Sequence, residues 1–172
     1  MRVVVRSATP ADAAMLAELA ARTFYDTFAD SNTSEDMQTF LTSTYSEEIQ
    51  RKEIEDASLT TLLAECDGTL AGFAQIKMGK APDCVKGPSP SEIKRFYVEK
   101  TFHGRGVAQE LMRAAEAIAR DAGAKTIWLG VWEHNDRAIA FYRKIGFFEV
   151  GNQPFLVGTD LQTDLVLERP LQ

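Results

Sequence analysis

One segment constrains the fold of this chain more than any other. Residues 92–99 have strand character, and three residues further on His103-Gly104-Arg105-Gly106-Val107-Ala108 opens an amphipathic helix. Ala108, Leu111, Ala115, Ile118, Ala119 and Ala122 recur at helical spacing through residues 106–122, and Gly123 then predicts a left-handed C-cap. A strand delivered into such a helix needs a sheet for the helix to cover, so the chain is α/β. The turn also leaves a helix N-terminus, with unpaired N–H groups and the positive end of the dipole, at the end of a strand. Two glycines let an anion approach that backbone closely, and Arg105 adds a fixed positive charge. Two familiar phosphate loops are excluded, because no Gly-Lys-Ser/Thr ending follows and Gln109 stands where G-x-G-x-x-G needs its third glycine. The local pattern alone suits an anion cradle and a plain tight turn equally.

The remaining elements fit around this unit. A short strand over residues 2–7 precedes Thr9-Pro10-Ala11-Asp12, which reads as N-cap, N1 proline and N3 carboxylate of a helix running to about Phe28. Leu16, Leu19, Ala20, Thr23 and Phe24 form its inward face. A second helix is expected over residues 34–44, with Met37, Phe40 and Leu41 inward, and a third, polar helix opening at Ser46 is expected outside. Residues 60–65 and 70–78 read as strands joined by the Asp67-Gly68 hairpin turn, and the proline- and glycine-broken segment 79–91 as a loop. In the strand over residues 92–99, alternation puts Glu92, Phe96 and Val98 on one face and Ile93 and Tyr97 on the other. Residues 125–132 return to strand, Asn135 caps a short helix ending at Gly146, and residues 147–151 and 163–168 supply the last strands. No linker or repeat interrupts the pattern, so residues 1–172 read as one domain with a mixed sheet and helices on both faces.

Charge narrows the function. With 19 Lys+Arg against 25 Asp+Glu, the net charge of −6 disfavours a nucleic acid or an anionic membrane as partner. Residues 1–66 hold 5 basic and 12 acidic side chains, and residues 67–172 hold 14 and 13, so the acidity belongs to the first third. Two cysteines make no disulfide framework, and no apolar run approaches the roughly 18–20 residues of a membrane span. A reducing cytoplasm is the expected setting. His103 and His134 lie far from both cysteines, so no metal site is expected.

Three segments together carry a family resemblance: Ile93-Lys94-Arg95-Phe96-Tyr97-Val98, His103-Gly104-Arg105-Gly106-Val107-Ala108, and Asn135-Asp136-Arg137-Ala138-Ile139-Ala140-Phe141-Tyr142-Arg143-Lys144-Ile145-Gly146-Phe147. They resemble the acetyl-CoA signatures of the GCN5-related N-acetyltransferase (GNAT) superfamily, an arrangement that extends over about residues 60–150. Thr23-Phe24-Tyr25-Asp26-Thr27-Phe28, Ile127-Trp128-Leu129-Gly130-Val131-Trp132-Glu133 and Gln162-Thr163-Asp164-Leu165 are similar to the spermidine/spermine N-acetyltransferases of the PaiA type. The resemblance implies a mostly antiparallel twisted sheet of about seven strands. It also implies a cytoplasmic enzyme that moves an acetyl group from acetyl-CoA, its cosubstrate, to a primary amine by direct attack. The acceptor it points to is a small molecule, a polyamine. Acetylation of protein N-termini or lysines, and a non-catalytic CoA-binding regulatory module, are the alternative readings. Oligomeric state is left open, a homodimer included.

The same resemblance implies roles for individual residues. Phe96, Tyr97 and Val98 run beside the cosubstrate, with the Val98 N–H polarising the thioester carbonyl. His103, Gly104, Arg105, Gly106, Val107, Ala108 and Gln109 cradle its phosphates, with Asn135 and Lys144 as further contacts. Tyr142 protonates the departing thiolate, since a phenol stays protonated at neutral pH. Glu92 is the candidate base, and Tyr25 and Asp26 the candidate amine-binding pair, with Asp30, Glu35 and Asp36 clustered nearby. His103 stands where the family pattern has Gln or Arg. Gly130 stands where some relatives keep a catalytic carboxylate, so that role must fall elsewhere.

Overall fold

The computed structural model describes residues 1–172. The strands are β1 (Val3–Ser7), β2 (Leu59–Cys66), β3 (Thr69–Met78), β4 (Pro90–Val98), β5 (Thr126–Trp132), β6 (Phe148–Val157) and β7 (Asp160–Pro170). The helices are α1 (Ala13–Phe28), α2 (Ser34–Thr44), α3 (Glu47–Glu55), α4 (Val107–Asp121) and α5 (Asp136–Lys144). No helix is long and apolar enough to cross a membrane.

Local chemistry sets most element boundaries. A capping box joins Thr9 to Asp12 at the single 3-10 turn that leads into α1, and Arg6 clamps the Asp12 carboxylate through two bonds of 2.9 Å. Gly123 and Gly146, at φ of +89° and +99°, stop α4 and α5, and the N–H of Ala124 and of Phe147 reach back to Ala119 O and Tyr142 O. Asp67 and Gly68, at φ of +49° and +83°, make the β2–β3 turn.

The seven strands form one sheet in the order β1-β2-β3-β4-β5-β7-β6, antiparallel at every junction except the parallel β4–β5 pair. That junction is short: it runs only from Pro90 opposite Thr126 to Ile93 opposite Leu129. Beyond it the two strands diverge. β4 is bulged there, because Gln75 of β3 faces Arg95 while the next residue, Ile76, faces Ile93, leaving Lys94 without an opposite number.

The bulge corrects the simple alternation expected from sequence. It inverts parity at Lys94, so Ile93 joins Phe96 and Val98 on the face covered by α4 and α5, and Glu92, opposite Lys77, falls on the other face with Arg95 and Tyr97. Two further expectations shift. α3 is polar yet not merely external, since Gln50 is fully buried and Glu53 reaches Arg95. The last two strands are also longer than predicted and close through Gly158 and Thr159.

Helices cover both faces. α4 and α5 lie over β1–β5 and β7 through Val107, Leu111, Met112, Ile139 and Tyr142. On the opposite face Leu16, Leu19, Ala20, Phe24 and Phe28 of α1 pack with Met37, Leu63, Phe73 and Val157. Asp36 of α2 holds the tip of the β6–β7 hairpin, accepting hydrogen bonds from the Thr159 N–H at 2.7 Å and hydroxyl at 2.9 Å.

Candidate active site

Where β4 and β5 part, a cavity of about 650 Å³ passes between them. Phe96, Val107, Phe141 and Tyr142 line it from the α4/α5 side, and Tyr97, Trp132, Asp164 and the end of α1 line it from the other. The sheet is therefore perforated at the one place where its hydrogen-bond ladder lapses.

The backbone there is left with unused donors. Along β4 successive residues point their N–H and C=O to opposite neighbours. The Glu99 N–H donates to Ala71 O of the β3 side at 2.8 Å, so the N–H and C=O of Val98 face the gap. His103 donates from Nε2 to the Val98 carbonyl at 2.8 Å, bracing that peptide and leaving the Val98 N–H free toward the cavity. Sequence alone assigned His103 to phosphate; its ring here ties the glycine turn to the strand end.

The glycine turn suits an anion. Gly106, at φ of +83°, is the N-cap of α4 and supplies no side-chain cap, and the first helical bond is the Glu110 N–H to Gly106 O at 3.1 Å. The N–H groups of Val107, Ala108 and Gln109 thus lack intrahelical acceptors at the cavity wall. No atom lies within 4 Å of where a Cβ on Gly104 or Gly106 would stand, so the space before these amides is open.

Two ionisable side chains on the cavity wall are raised by burial. Tyr142 is buried, packed edge-on against Phe96 and Phe147, and desolvation alone raises its phenol well above the usual range. Asp164 of β7 sits over Gly130. A Cβ on Gly130 would stand 3.1 Å from Asp164 Oδ2 and 2.6 Å from Gln153 Nε2. Its Oδ1 is buried without a hydrogen-bond donor, and desolvation raises its carboxyl to about 6.

Similarity to known proteins accords with this geometry. The model of the Acetyltransferase (GNAT) family matches residues 16–147. The chain is 36% identical to an uncharacterized N-acetyltransferase in the pepI 3′ region of Lactobacillus delbrueckii subsp. lactis, over 87% of this chain and 86% of that one. The chain belongs to the GNAT acetyltransferase family. Another GNAT relative, an uncharacterized N-acetyltransferase of Mycobacterium tuberculosis, is 33% identical over 93% of this chain and 98% of its own. In fold, the PaiA N-acetyltransferase from Thermoplasma acidophilum in complex with coenzyme A superposes with a TM-score of 0.80 at 23% identity, covering 99% of both chains. The protein is thus an N-acetyltransferase with the α/β GNAT fold.

Against this GNAT frame the sequence-derived site residues divide. Phe96, Tyr97, Val98, His103, Gly104, Gly106, Val107, Ala108, Gln109, Asn135, Tyr142 and Asp26 all line the cavity. Arg105 does not: its guanidinium lies 5.6 Å from the Phe102 ring centroid. Lys144 is exposed on the last turn of α5, and Tyr25 is 55% exposed on α1; neither reaches the cavity. Glu92 lies outside it as well, carried to the sheet face of Arg95 by the Lys94 bulge, where burial raises its carboxyl and Lys94 and Lys77 oppose the rise. Asp36 is occupied by Thr159, whose N–H holds its carboxyl below the usual range. Asp26 lies 3.6 Å from Lys100 Nζ. Sequence reasoning gave Asp164 no role; its signals there were its place in the Gln162-Thr163-Asp164-Leu165 segment and the bare Gly130, where a side chain would project into the cavity.

Proposed function

We propose that this N-acetyltransferase acetylates a primary amine of a polyamine by direct attack on acetyl-CoA. One observation supports this most: an unpaired Val98 N–H faces a cavity that runs from the open amides of α4 through the sheet to the acidic end of α1. Acetyl-CoA, as second substrate, supplies the activated acetyl thioester. The amides of Val107, Ala108 and Gln109, with the room before Gly104 and Gly106, suit its phosphates. The Val98 N–H, fixed by the β3 ladder and the His103 brace, is aimed where carbonyl oxygen charge develops, and one such donor is worth roughly 2.7–4 kcal/mol. Tyr142, kept protonated by burial, supplies a proton to the leaving sulfur. On the opposite side of the sheet, Asp26 and Asp164 line the route for a cationic acceptor.

Incubation with acetyl-CoA and a panel of spermidine, spermine, putrescine and N-terminal peptides, read by mass spectrometry, tests the assignment. An acetylated polyamine is the expected product. Acetylation of the peptides alone moves the acceptor to protein N-termini, and no acetylated product from any amine defeats the reading.

A further inference from the structure

We propose that Asp164 is the group that receives the attacking nitrogen and takes its proton, an inference that rests on the acetyl-transfer reading above. The argument begins with what β5 lacks. Gly130 has no side chain, and the space it leaves is filled from the neighbouring strands by Gln153 and Asp164, whose carboxylate consequently looks into the cavity. Its position is fixed by pairing on both sides: Asp164 meets Trp132 at the last rung of the β5–β7 ladder and Gln153 in the middle of the long β6–β7 ladder.

Lys94 and Arg137 also line the cavity, yet desolvation is the sole influence on the Asp164 carboxyl, so no cation is placed against it. Arg95, on the adjoining stretch of β4, is engaged by Glu53 and by Gln75 Oε1 at 2.7 Å. Lys100 is with Asp26, and His134, after β5, lies 3.5 Å from Glu133. Tyr97 and Tyr142 are raised by burial and stay neutral. A buried carboxylate oxygen with no donor is costly, unless a donor arrives from outside. An alkylammonium or amine entering the cavity from the α1 side is such a donor. Of the other carboxylates, Glu92, the base expected from sequence, lies outside the cavity, and Asp26, which lines it, stands 3.6 Å from Lys100 Nζ. Desolvation brings the Asp164 carboxyl to about 6, so it is ionised at neutral pH and still more basic than an exposed aspartate.

The step balances as follows. An ammonium acceptor first loses one proton to solvent. The neutral nitrogen then bonds to the acetyl carbon, and its acidity rises as that bond forms, so one N–H proton passes to Asp164. The carbon–sulfur bond breaks with its electron pair on sulfur, and the Tyr142 O–H protonates the sulfur. Asp164 returns its proton to solvent and Tyr142 regains one, giving amide and free thiol.

The test combines three readouts on wild type, Asp164→Asn and Asp164→Glu, using the amine with the highest turnover in the panel. A carboxyl ¹³C titration of the ligand-free protein should find one aspartate near 6 that Asp164→Asn removes. Below about pH 6 kcat/KM should fall more steeply with falling pH in wild type than in Asp164→Asn, where only the deprotonation of the amine itself remains, and kcat of the variant should be at least about 100-fold lower. Acetyl-CoA affinity by calorimetry should stay within about twofold, and Asp164→Glu should restore part of the rate. Full kcat with an unchanged pH profile in Asp164→Asn overturns the base assignment and leaves the acetyltransferase reading standing. Equal loss of acetyl-CoA binding and turnover makes the residue structural and overturns it too. If wild type acetylates no amine, both fall together.

Discussion

Asp164 and Tyr142 illustrate how burial, acting in one direction on both, serves a proton donor and a proton acceptor alike. Desolvation keeps the Tyr142 proton on, which suits a donor, and it strengthens the hold of Asp164 on a proton, which suits an acceptor. For Asp164 this has a stability cost with a definite sign. A carboxyl at about 4 in the unfolded chain and about 6 in the folded one favours the folded state below pH 4, and that advantage is lost as pH rises through 6. Asp164→Asn removes the titration. Its stability relative to wild type should therefore rise between pH 4 and 7, by about 2–3 kcal/mol, and level off above. Urea unfolding of both proteins across that range checks it, and a difference that stays flat or falls with pH contradicts the raised carboxyl.

At the scale of elements, β4 decides where the chemistry occurs, and β3 decides where β4 sits. Gly72 of β3 lies against the splayed end of β4, and a Cβ there would stand 2.7 Å from Tyr97 O and 3.2 Å from a Val98 methyl. Gly72→Ala should displace the Tyr97–Val98 peptide, at about 1–3 kcal/mol of stability, and lower kcat more than it weakens acetyl-CoA binding. Stopped-flow turnover beside calorimetric affinity would show it, and an unaltered kcat would count against the Val98 N–H as a working donor. This element also marks how far sequence reaches. The helix ends are legible because Thr9, Asn135, Gly123 and Gly146 act on backbone groups within a few residues of themselves. The Lys94 bulge is not, because period-two alternation presumes an unbroken ladder and the fault lies in the pairing of β3 with β4. The outer half of β6 is hidden for a similar reason: Asn152, Gln153 and Pro154 have poor strand propensity and are held extended by β7 on an edge that tolerates proline. The turn is legible from its glycines ahead of a helix, and Tyr142 entered through the family resemblance. The surroundings of Asp164 depend on how β5 and β6 register against β7, and no local pattern announces that.

For the whole molecule, the acidic first third is partly neutralised by cations from the remainder. Lys100 meets Asp26 at 3.6 Å beside the cavity and Arg95 engages Glu53, while Arg22 pairs with Glu99 at 2.7 Å in the opposite sense. The field felt by an approaching amine is smaller than the count of charges suggests, and Lys100, 69% exposed, is easily screened. Asp26→Asn should raise KM for spermidine a few-fold at low salt, with the difference fading above about 0.5 M, while acetyl-CoA affinity is unchanged. Steady-state kinetics at several ionic strengths, with calorimetry alongside, would detect it. A salt-independent effect would mean that Asp26 acts through packing.

The lapse between β4 and β5 gives the protein two strand edges in its own interior. On a surface such edges invite pairing with foreign chains. Enclosed between α1 on one side and α4 and α5 on the other, their unpaired groups face the cavity instead of solvent or a foreign strand. The N–H and C=O groups that a partner strand would have used are thereby left to whatever occupies the gap.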